Sequence, residues 1–242
     1  MERLASLISG GGTTMNEIVK AVQSGEIPDM EIACVVSSKS DAGGIEKARK
    51  LGIPEDAIVV VEQSQFRIGS TRKIDREAFG NRLLGVLQNH GATVVTQNGW
   101  IPYTPDNVVE AYQGRIFNQH PGAPEQFGGR GMMGKAVHAT VLEFQRLAGR
   151  TFDTSVVSHY ADKILDGGKV VKRAKVPVLP GDSVDTLQAR ALPMEHRVQI
   201  AMLQDFVRGQ LDVLEPELLV SPDEIPLLEE AMRIAREQYP HG

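Results

Sequence analysis

The sequence has very little cysteine, since Cys34 is the only one among 242 residues. A single cysteine forms neither an intrachain disulfide nor a cysteine-based metal site, and nothing in the sequence requires an oxidising compartment. Long apolar runs are also missing, because no stretch reaches the roughly 18 to 20 residues that span a bilayer. The first residues, MERLASLISGGG, lack the apolar core and cleavage site of a signal peptide. We therefore predict a cytoplasmic protein without a membrane partner.

Basic residues are not in excess. The 26 Lys and Arg residues are outnumbered by 31 Asp and Glu residues, which gives a formal net charge of -5. Proteins that bind nucleic acid by charge usually carry a basic stripe, so no nucleic-acid partner is expected. With 41% hydrophobic and 24% charged residues, the composition is that of an ordinary globular protein. We predict a single domain over residues 1–242.

Short runs rich in Val and Ile alternate with segments of helical periodicity in the first half of the chain. Strands are predicted at residues 3–9, 31–38, 57–61, 92–97 and 115–118, and helices at residues 13–25, 43–52, 75–91 and 104–114. This alternation indicates an α/β fold with a Rossmann-like, doubly wound and mainly parallel sheet. In such sheets ligands bind beyond the carboxyl ends of the strands, so functional residues are expected just after strands.

The second half has a mixed pattern. It predicts a helix, a hairpin of two strands, a long helix that contains Pro193, and a closing helix, at residues 135–149, 153–161 with 168–178, 183–210 and 221–238. The closing helix starts with a Ser cap and a first-turn Pro. Its predicted role is structural.

The first predicted strand runs into SGGGTTMN, a glycine turn with two hydroxyl residues that open a helix. Backbone N–H groups and a helix N-terminus at this place favour a bound phosphate, and a tight turn without a ligand is the alternative. The segment is not a Walker loop, and Met15 breaks the dinucleotide fingerprint. The next strand ends in SSKS, without the acid that holds the ribose of NAD, so only Lys39 leaves NADP open.

Two further segments carry polar side chains suited to proton transfer. Asn118 and His120 are two residues apart, so on an extended chain they point to the same side. Asp166 follows Leu165, which we expect to be buried, and precedes two glycines, where a sharp turn can hold a carboxylate partly away from water. A turn Asn and a structural His are the alternative interpretation. His159 is either a group that orients Asp166 or a histidine at the edge of the core.

Several motifs occur in a familiar order and approximate spacing: LISGGGTT, DREAF, NQHPG, LDGGKVV, KVPVLPGDSVDTLQAR and MEH. With them the chain resembles the phosphoribosylglycinamide formyltransferases, folate-dependent enzymes of purine synthesis, over about residues 3–210. Residues 211–242 form a C-terminal extension that is predicted to be helical. Asn-x-His-Pro followed by Leu-Asp-Gly-Gly is specific to the formyltransferase superfamily and implies its fold. The glycine loop and the late Glu point to the glycinamide enzyme.

The resemblance implies roles for individual residues. The catalytic Asn, His and Asp of the family fall on Asn118, His120 and Asp166. Its loop for the substrate phosphate falls on Gly12, Thr13 and Thr14, and the acid that meets the glycinamide amine falls on Glu195, for which a solvated helix glutamate is the alternative.

Folate contacts are implied at Arg76, Trp100, Ile101 and Asn118. The common folate loop Gly-Phe-Met-Arg is replaced here by Gly-Trp-Ile-Pro, so its arginine is missing. The stretch PGAPEQFGGRGMMGKAVH also departs from the commoner Ser-Leu-Leu-Pro pattern. We interpret it as a variant of the loop beside the cleft, which leaves Arg130 and Lys135 without a role.

The implied activity is transfer of a formyl group from 10-formyltetrahydrofolate to the amine of 5'-phosphoribosylglycinamide, without a metal, by a monomer or homodimer. Formyltetrahydrofolate hydrolase is the nearest alternative, although it usually carries an extra N-terminal domain. Methionyl-tRNA formyltransferase would need a further C-terminal domain and a basic surface. An alternative from another class is a non-catalytic module that binds a nucleotide or NADP.

Overall fold

The computed structural model describes residues 1–240, and in it seven segments form strands, several of them rich in Val, Ile and Thr. Branched side chains fit a pleated surface that is covered on its faces. The strands are β1 (Glu2–Ile8), β2 (Met30–Ser37), β3 (Ile58–Val60), β4 (Val94–Gln97), β5 (Ile116–His120), β6 (Thr154–Tyr160) and β7 (Val170–Val176). They form a sheet in the order β3-β2-β1-β4-β5-β6-β7.

Helices follow most strands, as the helical periodicity predicts. They are α1 (Thr13–Gln23), α2 (Gly43–Lys50), α3 (Arg76–Asn89), α4 (Asp106–Ala111), α5 (Pro124–Phe127), α6 (Lys135–Ala148), α7 (Val184–Val207) and α8 (Ile225–Gln238). The chain runs through Pro193 inside α7 without ending the helix. The short α5 was not predicted.

The strand directions agree with the expected α/β fold, which is confirmed. β1 pairs in parallel with β2 and β4, β2 with β3, and β4 with β5. β6 and β7 pair antiparallel, as the predicted hairpin requires. Every residue of β4 is buried, which is typical of a parallel strand covered on both faces.

The density of internal contacts divides the chain into two compact units. Unit 1 comprises residues 1–118, 160–163 and 203–211, and its core packs apolar residues of β1, β2 and β4 against α1 and α3. Unit 2 comprises residues 119–159, 164–202 and 212–242, and its core packs α6, α7 and α8 residues around Phe127 and Phe144. Within the described residues, no helix is both long and apolar enough to cross a membrane.

Candidate active site

The glycine turn after β1 is shaped by close backbone approach. Gly12 caps α1 with a φ of 59°, in the left-handed region that glycine adopts without strain. A Cβ on Gly12 would lie 2.8 Å from Cα of Gly44, so a larger residue does not fit. Because Gly12 has no side chain, the first N–H groups of α1 receive no side-chain cap. This leaves a helix N-terminus that can bind an anion.

The hydroxyl residues that follow differ in exposure, since Thr13 is exposed and Thr14 is buried. A cation also reaches the turn: Nζ of Lys47, on α2, donates to the carbonyl oxygen of Gly11 at 2.7 Å. Sequence reasoning missed Lys47. The only sequence signal for Lys47 is its place on the helix that follows the second strand. The basic residue considered near this turn was Lys39, which precedes that helix.

The Trp100 and Ile101 loop is tied to the end of β1. The N–H of Ile101 donates to Oγ of Ser9 at 2.8 Å, and Trp100 stacks on Phe79 with ring centroids 6.4 Å apart. The Trp100 ring is buried, and its Nε1 has no hydrogen-bond partner among residues 1–240. Ile101 is half exposed. A buried donor without an acceptor is costly, and a bound ligand could supply the acceptor.

Arg76 begins α3 just after the capping residue Asp75, whose carboxylate accepts from the N–H of Ala78 at 2.9 Å. Its exposed guanidinium lies over the ring of Tyr103, 4.6 Å from the centroid. The Tyr103 hydroxyl donates to the carbonyl oxygen of Lys163. The Tyr103 ring thus positions the Arg76 side chain at the start of α3.

β5 carries both Asn118 and His120. Asn118 is half-buried and pairs in register with Gln97 of β4. His120 is buried, with Nδ1 3.1 Å from the carbonyl oxygen of Gly122 and Nε2 3.3 Å from that of Met132. Carbonyl oxygens only accept, so a ring that is protonated on both nitrogens satisfies both contacts.

Asp166 lies between two histidines of unit 2. Its Oδ2 is 3.9 Å from Nε2 of His120, and its Oδ1 is 3.9 Å from Nε2 of His159. The three side chains are at most 7% exposed. The sharp turn expected here occurs at Asp166 itself, which has a φ of 55°. The expectation that Leu165 is buried was wrong, because the turn leaves Leu165 47% exposed.

Glu195 is a buried acid on α7, with 7% of its surface exposed. Burial raises the pKa of its carboxyl from the ordinary 4.5 to about 7, because the charged form loses solvation. Nε2 of Gln119 donates to its Oε2 at 3.2 Å. Gln119 was not predicted as a site residue. The alternation of a strand places Asn118 and His120 on one face and Gln119 on the other, and nothing in the local sequence indicates that Gln119 contacts Glu195.

Metal ligands are not grouped in the described part of the chain. Among residues 1–240, no cluster of three or more His, Cys, Asp and Glu side chains is arranged to hold a metal ion. The two histidines beside Asp166 carry ring nitrogens that can donate or accept a proton.

Comparison with known proteins gives consistent similarities. The model of a family described as formyl transferase matches residues 2–203. The phosphoribosylglycinamide formyltransferase of Escherichia coli is 30% identical over 91% of this chain and 94% of its own. That of Haemophilus influenzae is 29% identical over 87% and 90%. The crystal structure of glycinamide ribonucleotide transformylase 1 from Symbiobacterium toebii has a TM-score of 0.74 and 28% identity, over 89% of this chain and 92% of the other.

Proposed function

The chain belongs to the formyl transferase family, and we propose that it transfers the formyl group of 10-formyltetrahydrofolate to the amine of 5'-phosphoribosylglycinamide. The family resemblance carried by the sequence motifs is confirmed. The observation that favours this substrate is the buried Glu195, whose raised pKa reflects burial alone. A buried carboxylate gains most from a substrate amine. The relatives carry the transferase name, so neither the hydrolase nor the NADP-binding module has support from them.

Three residues are assigned to the chemical step. Attack of the amine on the formyl carbon places negative charge on the formyl oxygen. We assign as donors to it the Asn118 amide and Nε2–H of the doubly protonated His120 ring, which is then shared between the formyl oxygen and the Met132 carbonyl oxygen at 3.3 Å. One well-placed donor of this kind is worth about 2.7 to 4 kcal/mol in the transition state. Asp166 stabilises the charged ring and relays, through water, a proton from the attacking amine to N10 of the folate, whose bond to the formyl carbon breaks as tetrahydrofolate leaves. Its oxygens lie 3.9 Å from both rings, beyond direct hydrogen bonding.

His159 is assigned a positioning role on the other side of Asp166. Its buried ring faces Oδ1, and the His120 ring faces Oδ2. Contacts on both oxygens restrict rotation of the carboxylate, which keeps Oδ2 directed at His120.

Substrate binding is assigned to the two ends of the ribonucleotide. Gly12, Thr13 and Thr14 hold its phosphate through backbone N–H groups and hydroxyls at the start of α1, and Glu195 receives its amine. The Lys47 cation beside Gly11 adds charge that favours an anion there. Contacts at both ends of the substrate orient its amine for attack.

Folate binding is assigned to Arg76, Trp100, Ile101 and Asn118. The buried Trp100 Nε1 without a partner among residues 1–240 fits this assignment, because a pterin offers nitrogen and oxygen acceptors. The exposed Ile101 and the Arg76 guanidinium supply apolar and charged contacts. When bound, the folate supplies the activated formyl group.

The remaining expectations are proposals as well. We propose that residues 1–242 act as one formyltransferase domain, in the cytoplasm, as a monomer or homodimer whose partners are small molecules and not nucleic acids or membranes. The net charge of -5 supports the exclusion of nucleic acid. The reaction as written needs no metal.

The activity is tested by mixing the protein with glycinamide ribonucleotide and 10-formyltetrahydrofolate and following deformylated folate by absorbance. Deformylation that requires the ribonucleotide is the expected result. Deformylation at the same rate without the ribonucleotide would refute the transferase activity and support the hydrolase activity. Calorimetric heat with NADP and none with the ribonucleotide would instead favour the binding module.

The catalytic assignment is tested with His120→Ala and Asp166→Asn. Each is expected to lower turnover by about 10²-fold or more, because a positioned acid–base group contributes on the order of 10² to 10⁴. The exposed Asp56, far along the chain in unit 1, provides the control variant Asp56→Asn. Near-normal turnover of either catalytic variant with saturating substrates would refute the assignment.

A further inference from the structure

The glycine-rich segment, residues 128–134, touches the catalytic carboxylate. The N–H of Gly129 donates to Oδ2 of Asp166 at 2.8 Å. A Cβ on the neighbouring Gly128 would lie 3.0 Å from Cβ of Asp166 and 2.5 Å from the carbonyl oxygen of Pro124, so only glycine permits this approach. Gly129 has a φ of 97°, which side chains rarely adopt. The glycines therefore bring a backbone donor to Asp166.

The same segment also reaches the catalytic histidine. The carbonyl oxygen of Met132 lies 3.3 Å from Nε2 of His120, and Met132 is buried. Sδ of Met132 accepts from the Thr140 hydroxyl on α6, at 3.3 Å. One short stretch of backbone thus contacts both Asp166 and His120, with a donor for the first and an acceptor for the second.

Gln126, on α5 just before this segment, is bound to the C-terminal extension by three hydrogen bonds. Its Nε2 donates to the carbonyl oxygen of Val220 at 2.7 Å. Its Oε1 accepts from the N–H groups of Leu219 and Val220 at 2.6 and 2.9 Å. The Gln126 side-chain amide therefore both donates to and accepts from the main chain of the C-terminal extension, and these bonds hold α5 against it.

The C-terminal extension is itself anchored on both sides of this contact. Arg150 donates to the carbonyl oxygen of Leu219 at 2.6 Å and to both carboxylate oxygens of Glu224 at 2.7 Å. Further along, the Arg236 side chain of α8 lies against Gly131, since a Cβ there would be 3.3 Å from its Nε. The C-terminal extension thus contacts the chain on both sides of Gly129, at Gln126 before it and at Gly131 after it.

We propose that the C-terminal extension positions the catalytic pair: through Gln126 and Arg236 it fixes the glycine-rich segment, whose Gly129 N–H and Met132 carbonyl hold Asp166 and His120. The effect of this placement is on the chemical step, because misplacing a catalytic group by about 1 Å costs on the order of 10²-fold in rate. The proposal rests on the proposed function for its kinetic readout, and it assigns a role to the glycine-rich segment and to the extension.

The first test compares Gln126→Met with Gln145→Met. Both glutamines donate to a main-chain oxygen within unit 2, since Nε2 of Gln145 donates to the carbonyl oxygen of Phe152 at 2.8 Å. Gln126→Met is expected to lower kcat by about 10-fold or more while KM for each substrate stays within about twofold. Gln145→Met should lower thermal stability and leave kcat of the folded protein unchanged.

A second variant tests the same contact through its charge. Gln126→Glu keeps an oxygen that accepts from the N–H groups of Leu219 and Val220, but it replaces the Nε2 donor by a carboxylate oxygen that repels the Val220 carbonyl oxygen. Its kcat is therefore expected to lie well below that of the wild type. A normal kcat for Gln126→Met or for Gln126→Glu would overturn the proposal.

The second test does not depend on Gln126 variants folding well. Gly129→Ala strains the donor to Asp166, and Gly149→Ala strains the end of α6, where φ is 64° and nothing lies near the added Cβ. Both variants should lose thermal stability, and only Gly129→Ala should lose kcat. If both or neither lose kcat, the proposal is wrong.

A structural readout keeps this proposal separate from the proposed function. The Gly129 amide, bound to a carboxylate, should show slow hydrogen exchange in the wild type, and its exchange should accelerate in Gln126→Met and not in Gln145→Met. Unchanged exchange would refute the positioning role even in an active enzyme. Absence of formyl transfer in the wild type would refute the proposed function alone.

Discussion

Glu195→Gln is expected to stabilise the free protein at neutral and alkaline pH. Burial raises the pKa of Glu195 from 4.5 to about 7, and each pKa unit corresponds to about 1.4 kcal/mol. Ionising Glu195 in the folded state therefore costs about 3 kcal/mol. The amide of the variant carries no charge, and its oxygen can still accept from Nε2 of Gln119.

The sign of the pH dependence follows from where the proton is held. Between pH 4.5 and about 7 the unfolded chain has lost the proton of Glu195 and the folded protein keeps it. Wild-type stability therefore falls as pH rises through this range and levels off above about pH 7. The amide that replaces the carboxyl in Glu195→Gln does not titrate, so the stability difference grows from near zero at low pH to about 3 kcal/mol above pH 7.

Urea unfolding at pH 5, 6, 7 and 8 measures this difference. Trp100 is the only tryptophan and is buried, so its fluorescence reports unfolding of unit 1, and far-UV circular dichroism reports the whole chain. The exposed Glu229 supplies the control Glu229→Gln, which should change stability by less than about 0.5 kcal/mol at each pH. A difference for Glu195→Gln that stays constant from pH 5 to pH 8 would refute the reasoning.

The same substitution should weaken the binding of glycinamide ribonucleotide. A charge-assisted hydrogen bond is worth about 1.5 to 3 kcal/mol, so KM for the ribonucleotide is expected to rise about 10-fold or more, with KM for the folate unchanged. Stability and binding thus move in opposite directions, because the substrate amine compensates the charge that burial disfavours. Equal shifts of both KM values would contradict the assignment of Glu195 to the amine.

Three further predictions concern the glycine turn at Gly12, the Arg76 side chain and the core. Gly12→Ala should cost more than about 1 kcal/mol in urea unfolding, because Ala is strained at a φ of 59° and its Cβ would meet Gly44, and it should raise KM for the ribonucleotide. Arg76→Ala removes a cation above Tyr103; KM for the folate should rise while stability falls by no more than about 1 kcal/mol. Phe144→Ala empties a fully buried position of unit 2 and should cost about 3 to 5 kcal/mol in urea unfolding.

Local periodicity was enough to locate the strands and most helices. β4 and β5, for example, were predicted within two residues of their observed bounds. A short apolar run is visible in the local sequence, without knowledge of distant contacts. The short α5 was missed, since a helix of 4 residues carries no readable period. The exposure of Leu165 was misjudged because an apolar residue in a sharp turn is positioned by its backbone and not by its hydrophobicity.

The arrangement of the candidate site could be predicted in part for the same reason. Asn118 and His120 are neighbours on one strand, so a period of two already places them on one side. The contact of Gln119 with Glu195 joins residues 76 positions apart, and that of Gly129 with Asp166 joins residues 37 positions apart. Such contacts depend on how distant segments of the chain pack together, and no local sequence pattern predicts that packing.

The sequence by itself determined the alternation of strands and helices, the glycine turn before α1, and the motifs that identify the family, because all of these depend on residues close together in the chain. Only the tertiary structure decided that Asp166 lies between two histidines, that Glu195 is buried with a pKa raised to about 7, and that the glycine-rich segment contacts the Asp166 carboxylate. Burial and long-range contacts arise when distant segments pack together, and packing sets both the solvation of a charge and the partners of a backbone N–H.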